Sequence, residues 1–459
     1  MADRTFRLVH PLPVSATRAF DWHTLPGAFE RLVPPWEDVR MEGPPAPVEE
    51  GAEQVVSFPL GPLRGRWRSR ISSVVPGESF QDVQVSGPFA RWTHTHTLRD
   101  LEGGTSELED SVAYALPLGP LGALFGGGMV KGKLERMFAY RHRITRGDLE
   151  RHAAAGDRRL DVLVSGSSGM VGEALCAFLS TGGHRVRRLV RRAPRTADEF
   201  RWNPDEGVFD PAAMEGADAV VHLAGENIAG RRWSPRQKDR IRRSRIEGTR
   251  LVADAIRRAE SAPPVLVSAS AVGIYGDRGD EVLDEHSTDG EGYLAEVCKG
   301  WEKEAAALSG ARVARLRFGV ILSPAGGALR KMLLPFLAGA GGRIGSGRQW
   351  MSWVALDDVV GAIHHALVNE GVEGAVNVVA PDAVTNAGYT KTLGRVLRRP
   401  TIAPMPGAVA RLAFGELADE LLLASQRVSP NRLLETGYRF GYPELEGALR
   451  HQLGRVRGS

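Results

Sequence analysis

Between Asp161 and Arg192 the chain reads DVLVSGSSGMVGEALCAFLSTGGHRVRRLVRR. No other stretch restricts the fold as tightly. An apolar run from Val162 to Val164 enters the glycine-rich turn GSSGMVG (166–172), an amphipathic helical pattern follows at once, and a second apolar strand runs from Val186 to Val190. This spacing predicts a β-α-β unit whose first turn cradles a dinucleotide pyrophosphate. One glycine makes the tight turn, one brings bare backbone close to the phosphates, and one lets the helix pack against the strand. The phosphates would rest on the free amides at the helix start. The second strand ends on Arg191 and Arg192 where an acidic residue would hold a ribose 2′-hydroxyl. Arginine there favours a 2′-phosphate, hence NADP(H) over NAD(H); the plain alternative is two solvated arginines.

A chain of 459 residues exceeds one ordinary core and suits two or three domains. With 42% hydrophobic and 25% charged residues and a net charge of +4, the composition is that of a globular protein without a nucleic-acid arm. Cys176 and Cys298 both fall in expected helices, which excludes a disulfide framework and fits a reducing cytoplasm. The start MADRTFRLVHPLP lacks the apolar core of a signal peptide. The uncharged stretch from Ser111 to Val130 is long enough for a bilayer, but Pro117, Pro120 and the run Gly126, Gly127, Gly128 would break a spanning helix, so a strand followed by a loop is expected there and no membrane span.

Residues 1–152 read as an α+β domain. A strand over Thr5–Val9 and a helix over Ala16–His23 precede strands at Glu53–Phe58, Arg66–Val75, Ser79–Val85, Arg91–Leu98 and Thr105–Leu116. Leu108, Val112, Tyr114 and Leu116 share one strand face, and a long helix over Lys131–Glu150 closes the domain. His94 and His96 alternate onto one face, but no third ligand stands at useful spacing. Hydrogen-bonded or cavity-lining histidines are the better reading, and no metal is expected. The polar stretch 153–159 makes a linker. Beyond it, buried strands at Ala219–Leu223, Pro264–Ser268 and Arg312–Phe318 alternate with helices, which predicts a doubly wound parallel sheet with ligands at the carboxyl ends of its strands. The basic helix Pro235–Arg258 carries interspersed acids and reads as a solvated or dimer-facing surface.

The stretch GPFARWTHTHTL (87–98) and the closing helix resemble the helix-grip fold of the START/polyketide-cyclase-like (SRPBCC) superfamily, which implies a cavity for an apolar ligand. The motifs GSSGMVG, HLAGENIAGRRW (222–233), SASAVGIYG (268–276), YLAEVCKGWE (293–302), the long GGALRK…ALDDV stretch (326–359) and RVSPNRLLETGYRFGYPELEGAL (427–449) resemble an atypical extended short-chain dehydrogenase/reductase of the epimerase/dehydratase kind. That resemblance spans about residues 160–452 and implies a Rossmann domain over 160–400 and a helical C-terminal domain over 401–459 that completes a substrate lobe. Gly166, Ser167, Gly169, Met170, Val171 and Gly172 would meet the pyrophosphate, Arg191 and Arg192 the 2′-phosphate, Leu223, Ala224 and Gly225 the adenosine and ribose, and Ser268 the nicotinamide ribose. A homodimer is expected only by analogy with the superfamily.

For catalysis the resemblance implies that Ser270 orients the substrate oxygen and Tyr293 moves the proton. The lysine normally found four residues after the tyrosine is Val297 here. Lys299 lies about 120° further round a helix and cannot easily replace it, and an unassisted phenol is a poor base at neutral pH. The alternative for Tyr293 is a ring packed beside the nicotinamide. Tyr275 and the loop bearing Arg343, Arg348, Gln349 and Trp350 are the candidate binders of a small-molecule substrate, with an anionic or sugar-like ligand suited to the arginines. The competing reading of that loop is a turn whose tryptophans anchor the smaller lobe. The sequence therefore supports an NADP(H)-dependent oxidoreductase or epimerase, with an NADP(H)-binding sensor or lipid-handling protein of little turnover as the rival.

Overall fold

The computed structural model describes residues 4–117 and 119–455, with the backbone alone for 119–125. Leu118 and the ends of the two outermost expected domains lie outside the described residues. The chain divides into two compact units: the first runs to Arg158 and takes in Ser180–Gly183 and the tail from Leu453, and the second comprises Arg159–Leu179 and His184–Gln452.

The first unit is a seven-stranded antiparallel sheet with helices packed against it, a short one at Ala28–Leu32 among them. Its strands are β1 (Arg4–Leu12), β2 (Arg40–Glu42), β3 (Glu53–Leu60), β4 (Leu63–Val75), β5 (Ser79–Ser86), β6 (Arg91–Asp100) and β7 (Ser106–Ala115), in the spatial order β1-β7-β6-β5-β4-β3-β2. Helix α1 (Ala16–Thr24) starts at Ser15, whose side chain accepts from the Arg18 amide. Helix α2 (Gly119–Ala154) is 36 residues long. Alternation decides which face is inside: Trp92, His94, His96 and Leu98 of β6 are buried and stand opposite Tyr114, Val112, Asp110 and Leu108 of β7. Phe20 and Trp22 of α1 and Tyr140, Ile144 and Leu149 of α2 pack with Leu98 and Leu108 into one cluster.

One expectation is corrected here. The stretch after β7 is not a loop, because α2 begins at Gly119, twelve residues before Lys131, and runs through Gly126, Gly127 and Gly128. Pro120 falls in its first turn, where a missing amide costs nothing. Among the described residues no helix is long and apolar enough to cross a membrane.

The second unit is the expected parallel sheet. Its strands are β8 (Asp161–Ser165), β9 (Arg185–Val190), β10 (Glu199–Asn203), β11 (Val208–Phe209), β12 (Ala219–His222), β13 (Val265–Ala271), β14 (Arg312–Phe318) and β15 (Gly374–Val378), in the spatial order β11-β10-β9-β8-β12-β13-β14-β15. All neighbours are parallel except the hairpin β10–β11. Strand order reverses between β8 and β12, so this is the point at which a doubly wound sheet opens a crevice. Helices α3 (Met170–Thr181), α4 (Pro235–Arg258) and α5 (Tyr293–Ala306) connect the strands. The apolar stretch 409–423 is broken rather than continuous: a helix ends at Phe414, Gly415 takes φ 64°, and a separate wide turn follows over Ala418–Leu423.

Candidate functional site

The crevice is built from two turns, one after β8 and one after β12, locked together through backbone. Ser165, the last residue of β8, accepts from the amides of Leu223 (3.2 Å) and Ala224 (3.4 Å) at the end of β12. Its hydroxyl also lies 2.6 Å from Nδ1 of His222. Because the oxygen already accepts from two amides, its proton goes to Nδ1. His222 is fully buried, its Nε2 has no hydrogen-bond partner among the described residues, and burial pushes its pKa down from 6.5 to about 4.

The glycines act as their positions require. Gly166 has φ 71°, and a Cβ on it would stand 2.8 Å from the Ala224 nitrogen. A Cβ on Gly172 would overlap the Gly166 carbonyl oxygen, so only glycine lets the helix start against the turn. Gly169 opens α3: the Glu173 amide donates to its carbonyl at 2.8 Å. The amides of Met170, Val171 and Gly172 precede that bond and have no helical acceptor. Ser168 and Gly169 are exposed while Ser167 is buried, which leaves an open turn lined by free amides. A pyrophosphate fits this turn.

The two arginines after β9 are not equivalent. Arg192 forms a two-pronged pair with Glu199, at 2.7 and 2.5 Å, and the arginine holds that carboxyl at a pKa of about 2. Arg191 is exposed and, among the described residues, makes no hydrogen bond or ion pair. Leu223 and Ala224 are half-buried and Gly225 is exposed along the second turn; Ser268 is buried on β13, donating to the Ala269 carbonyl at 3.3 Å.

The expected catalytic residues are held elsewhere. Ser270 is buried and donates to Glu302 of α5 at 2.7 Å. Glu302 also takes two bonds from Arg317, at 2.8 and 2.9 Å, and Arg317 donates to the Tyr275 hydroxyl at 2.8 Å. That hydroxyl lies 2.8 Å from both the Asp284 carbonyl and the Asn377 side-chain oxygen. Ser270 and Tyr275 thus belong to one buried polar network, and Tyr275 lines no open face. Tyr293 opens α5, where Glu420 receives its amide and that of Leu294, both at 3.0 Å. Its hydroxyl donates to the Lys238 carbonyl at 2.5 Å, while the Lys238 ammonium sits 4.4 Å from its ring centre. Burial pushes the phenol up to about 12. Ser270 and Tyr293 are therefore not joined in a proton-transfer pair.

The expected substrate loop is a pinned turn. Gln349 is buried and donates to the carbonyls of Ile344 (3.0 Å) and Leu422 (2.9 Å). Trp350 donates to Asp280 at 2.8 Å with the Arg427 guanidinium 4.3 Å over its ring. Arg343 donates to the Ser346 carbonyl at 2.9 Å, and Arg343 and Arg348 are both exposed. No motif singles out Glu302, Arg317 or Arg245, which the fold brings to the site. Burial lowers the Arg245 pKa; its guanidinium donates to the carbonyls of Glu226 (3.0 Å) and Ile241 (3.2 Å) under the Gly225 turn. The signal for Glu302 was its helical phase with Cys298 and Ala305, which marks an acid on a buried face.

Residues 162–380 match the NAD dependent epimerase/dehydratase family, and residues 405–452 match a domain of unknown function, DUF1731. An epimerase family protein of Mycobacterium bovis, Mb2239, is 47% identical over 290 residues, 63% of this chain and 96% of the relative. The crystal structure of a Corynebacterium glutamicum nucleoside-diphosphate sugar epimerase is 33% identical with a TM-score of 0.82, covering 99% of this chain and 91% of that one. The human epimerase family protein SDR39U1, solved with NADPH, is 36% identical with a TM-score of 0.60, covering 65% of this chain and 100% of that one.

Proposed function

Since the chain belongs to the NAD-dependent epimerase/dehydratase family, we propose that its second unit binds NADP(H) and exchanges a hydride with a carbonyl or hydroxyl carbon of a small-molecule substrate, as a reductase or an epimerase. The observation that carries this reading is the open glycine turn, together with an exposed Arg191 just after β9 that is unpaired among the described residues. The human relative solved with NADPH supports the same cofactor. When bound, NADP(H) supplies or accepts the hydride. The chain's own share is to hold the pyrophosphate on the amides of Met170, Val171 and Gly172, and to hold the 2′-phosphate on Arg191, with Arg192 kept by Glu199. Proton transfer falls to a group outside the Ser270 and Tyr293 pair, because both hydroxyls already donate within the protein. Arg343 and Arg348, exposed on the pinned loop, suit an anionic substrate. The first unit, a sheet closed by one long helix, is read as a helix-grip domain with an apolar ligand. The free, buried Cys176 and Cys298 fit a reducing cytoplasm.

A second reading, a nucleotide-binding sensor with little turnover, is favoured by Val297 and by the engaged hydroxyls of Ser270 and Tyr293. Calorimetric titration with NADPH and NADH decides the cofactor. NADPH should bind more tightly, and Arg191→Ala should weaken it roughly 10- to 100-fold, the range of one charge-assisted contact, without changing NADH. Arg192→Ala should do less. Equal affinity for both nucleotides in wild type would remove the 2′-phosphate argument. A carbonyl-substrate screen following NADPH absorbance detects a reductase, and product analysis for an inverted stereocentre detects an epimerase, which consumes no net cofactor; a sensor gives neither.

A further inference from the structure

We propose that Asp82, His94 and His96 bind a divalent first-row transition-metal ion in the first unit. Strand register brings them together: Asp82 of β5 stands opposite His94 of β6, and His96 stands two residues on along the same face. One donor atom from each lies within 4.8 Å of the other two. Both imidazoles are buried; the Asp82 side chain retains 22% exposure and gives an ion a way in.

The surroundings match what a metal site needs beyond its ligands. Asp110 of β7 accepts from Nε2 of His94 at 2.9 Å, which leaves Nδ1 facing Asp82 at 3.2 Å. A carboxylate behind a liganding imidazole fixes the ring and strengthens it as a donor. His142 of α2 meets the other Asp110 oxygen at 2.5 Å. His96 Nδ1 lies 2.8 Å from the same Asp110 oxygen that His94 meets, so two buried rings share one acceptor. Two imidazoles and one carboxylate, with further positions open to water, suit zinc or iron(II). Without metal, His94 sits between two carboxylates and must carry both its protons. On binding, the ion replaces the Nδ1 proton, which leaves to solvent. His23 and His10, kept neutral by burial with pKa values pushed down to about 3 and about 4, and the Arg141 guanidinium complete the surroundings.

Chelator-treated full-length protein is titrated with Co²⁺ and followed by visible absorption, with Zn²⁺ as competitor and metal content measured by plasma mass spectrometry. One ion per chain is expected in wild type, and at least about tenfold weaker binding in Asp82→Asn and His96→Gln, with NADPH affinity unchanged. A wild type that takes up neither ion, or variants that bind as well as wild type, would overturn the proposal. Anomalous scattering from crystals soaked in Zn²⁺ decides the matter even if both variants misfold. A peak among Asp82, His94 and His96 supports the site, and a peak elsewhere or none refutes it.

Discussion

The hydroxyl of Tyr293 donates to a backbone carbonyl, and its phenol is pushed up to about 12. A general acid or base contributes about 10²–10⁴-fold to rate. Tyr293→Phe is therefore expected to change turnover by far less, while removing one hydrogen bond worth about 1 kcal/mol of stability. A loss of a hundredfold in kcat with the fold intact would return Tyr293 to the chemistry. Glu302 presents the opposite case. It neutralises Arg317, accepts from Ser270 and also meets Arg315 at 3.3 Å, all at the junction of α5 with β13 and β14. Glu302→Gln leaves a buried guanidinium without its counter-charge and should cost about 3 kcal/mol or more. Urea unfolding checks this, and a midpoint within error of wild type would contradict it.

At the scale of elements, the turn joining β8 to α3 tolerates no side chain at its third glycine. Gly172→Ala forces a methyl group against the Gly166 carbonyl, so the helix start must move away from the strand. The expected result is a loss of about 2–3 kcal/mol together with NADPH binding too weak for calorimetry; a Gly172→Ala chain that binds NADPH normally would mean that the turn is looser than it looks. This turn was legible from sequence because its constraints are local: strand, glycines and helix follow one another within a dozen residues. The strands and the basic helix Pro235–Arg258 were legible for the same reason. What stayed hidden was set by register and long-range pairing. Asp110 sits in phase with Leu108 and Val112 on an apolar strand face, yet nothing local shows that three imidazoles will surround it. Ser270 reads as a substrate-orienting hydroxyl until Glu302, 32 residues later, is brought to its oxygen. The early start of α2 is not legible because glycine and proline are poor helix formers on average, whereas Pro120 stands in the first turn, where it is tolerated.

At the scale of the whole chain, acid should loosen the second unit before the carboxylates titrate. His222 is neutral in the fold, with its pKa pushed from 6.5 to about 4 by burial. The unfolded chain therefore takes up a proton first as pH drops. The stability is whole above pH 6.5, is lost progressively down to about pH 4, and levels off below, an amplitude of about 3 kcal/mol. Thermal unfolding from pH 7 to pH 4 should show this fall on top of the like contribution of His184, whose pKa burial also lowers to about 4, and His222→Asn should lessen the slope without abolishing it; an unchanged slope in the variant would place the effect elsewhere. The carboxylate that caps α5 belongs to Glu420, 127 residues after Tyr293. When β15 has left the ribosome at Val378 every strand of the second sheet exists, yet the amides of Tyr293 and Leu294 still lack their acceptor. The sheet can form early, but the nascent chain cannot close α5 until its last segment emerges, and a chain that stops short of it keeps that helix end open.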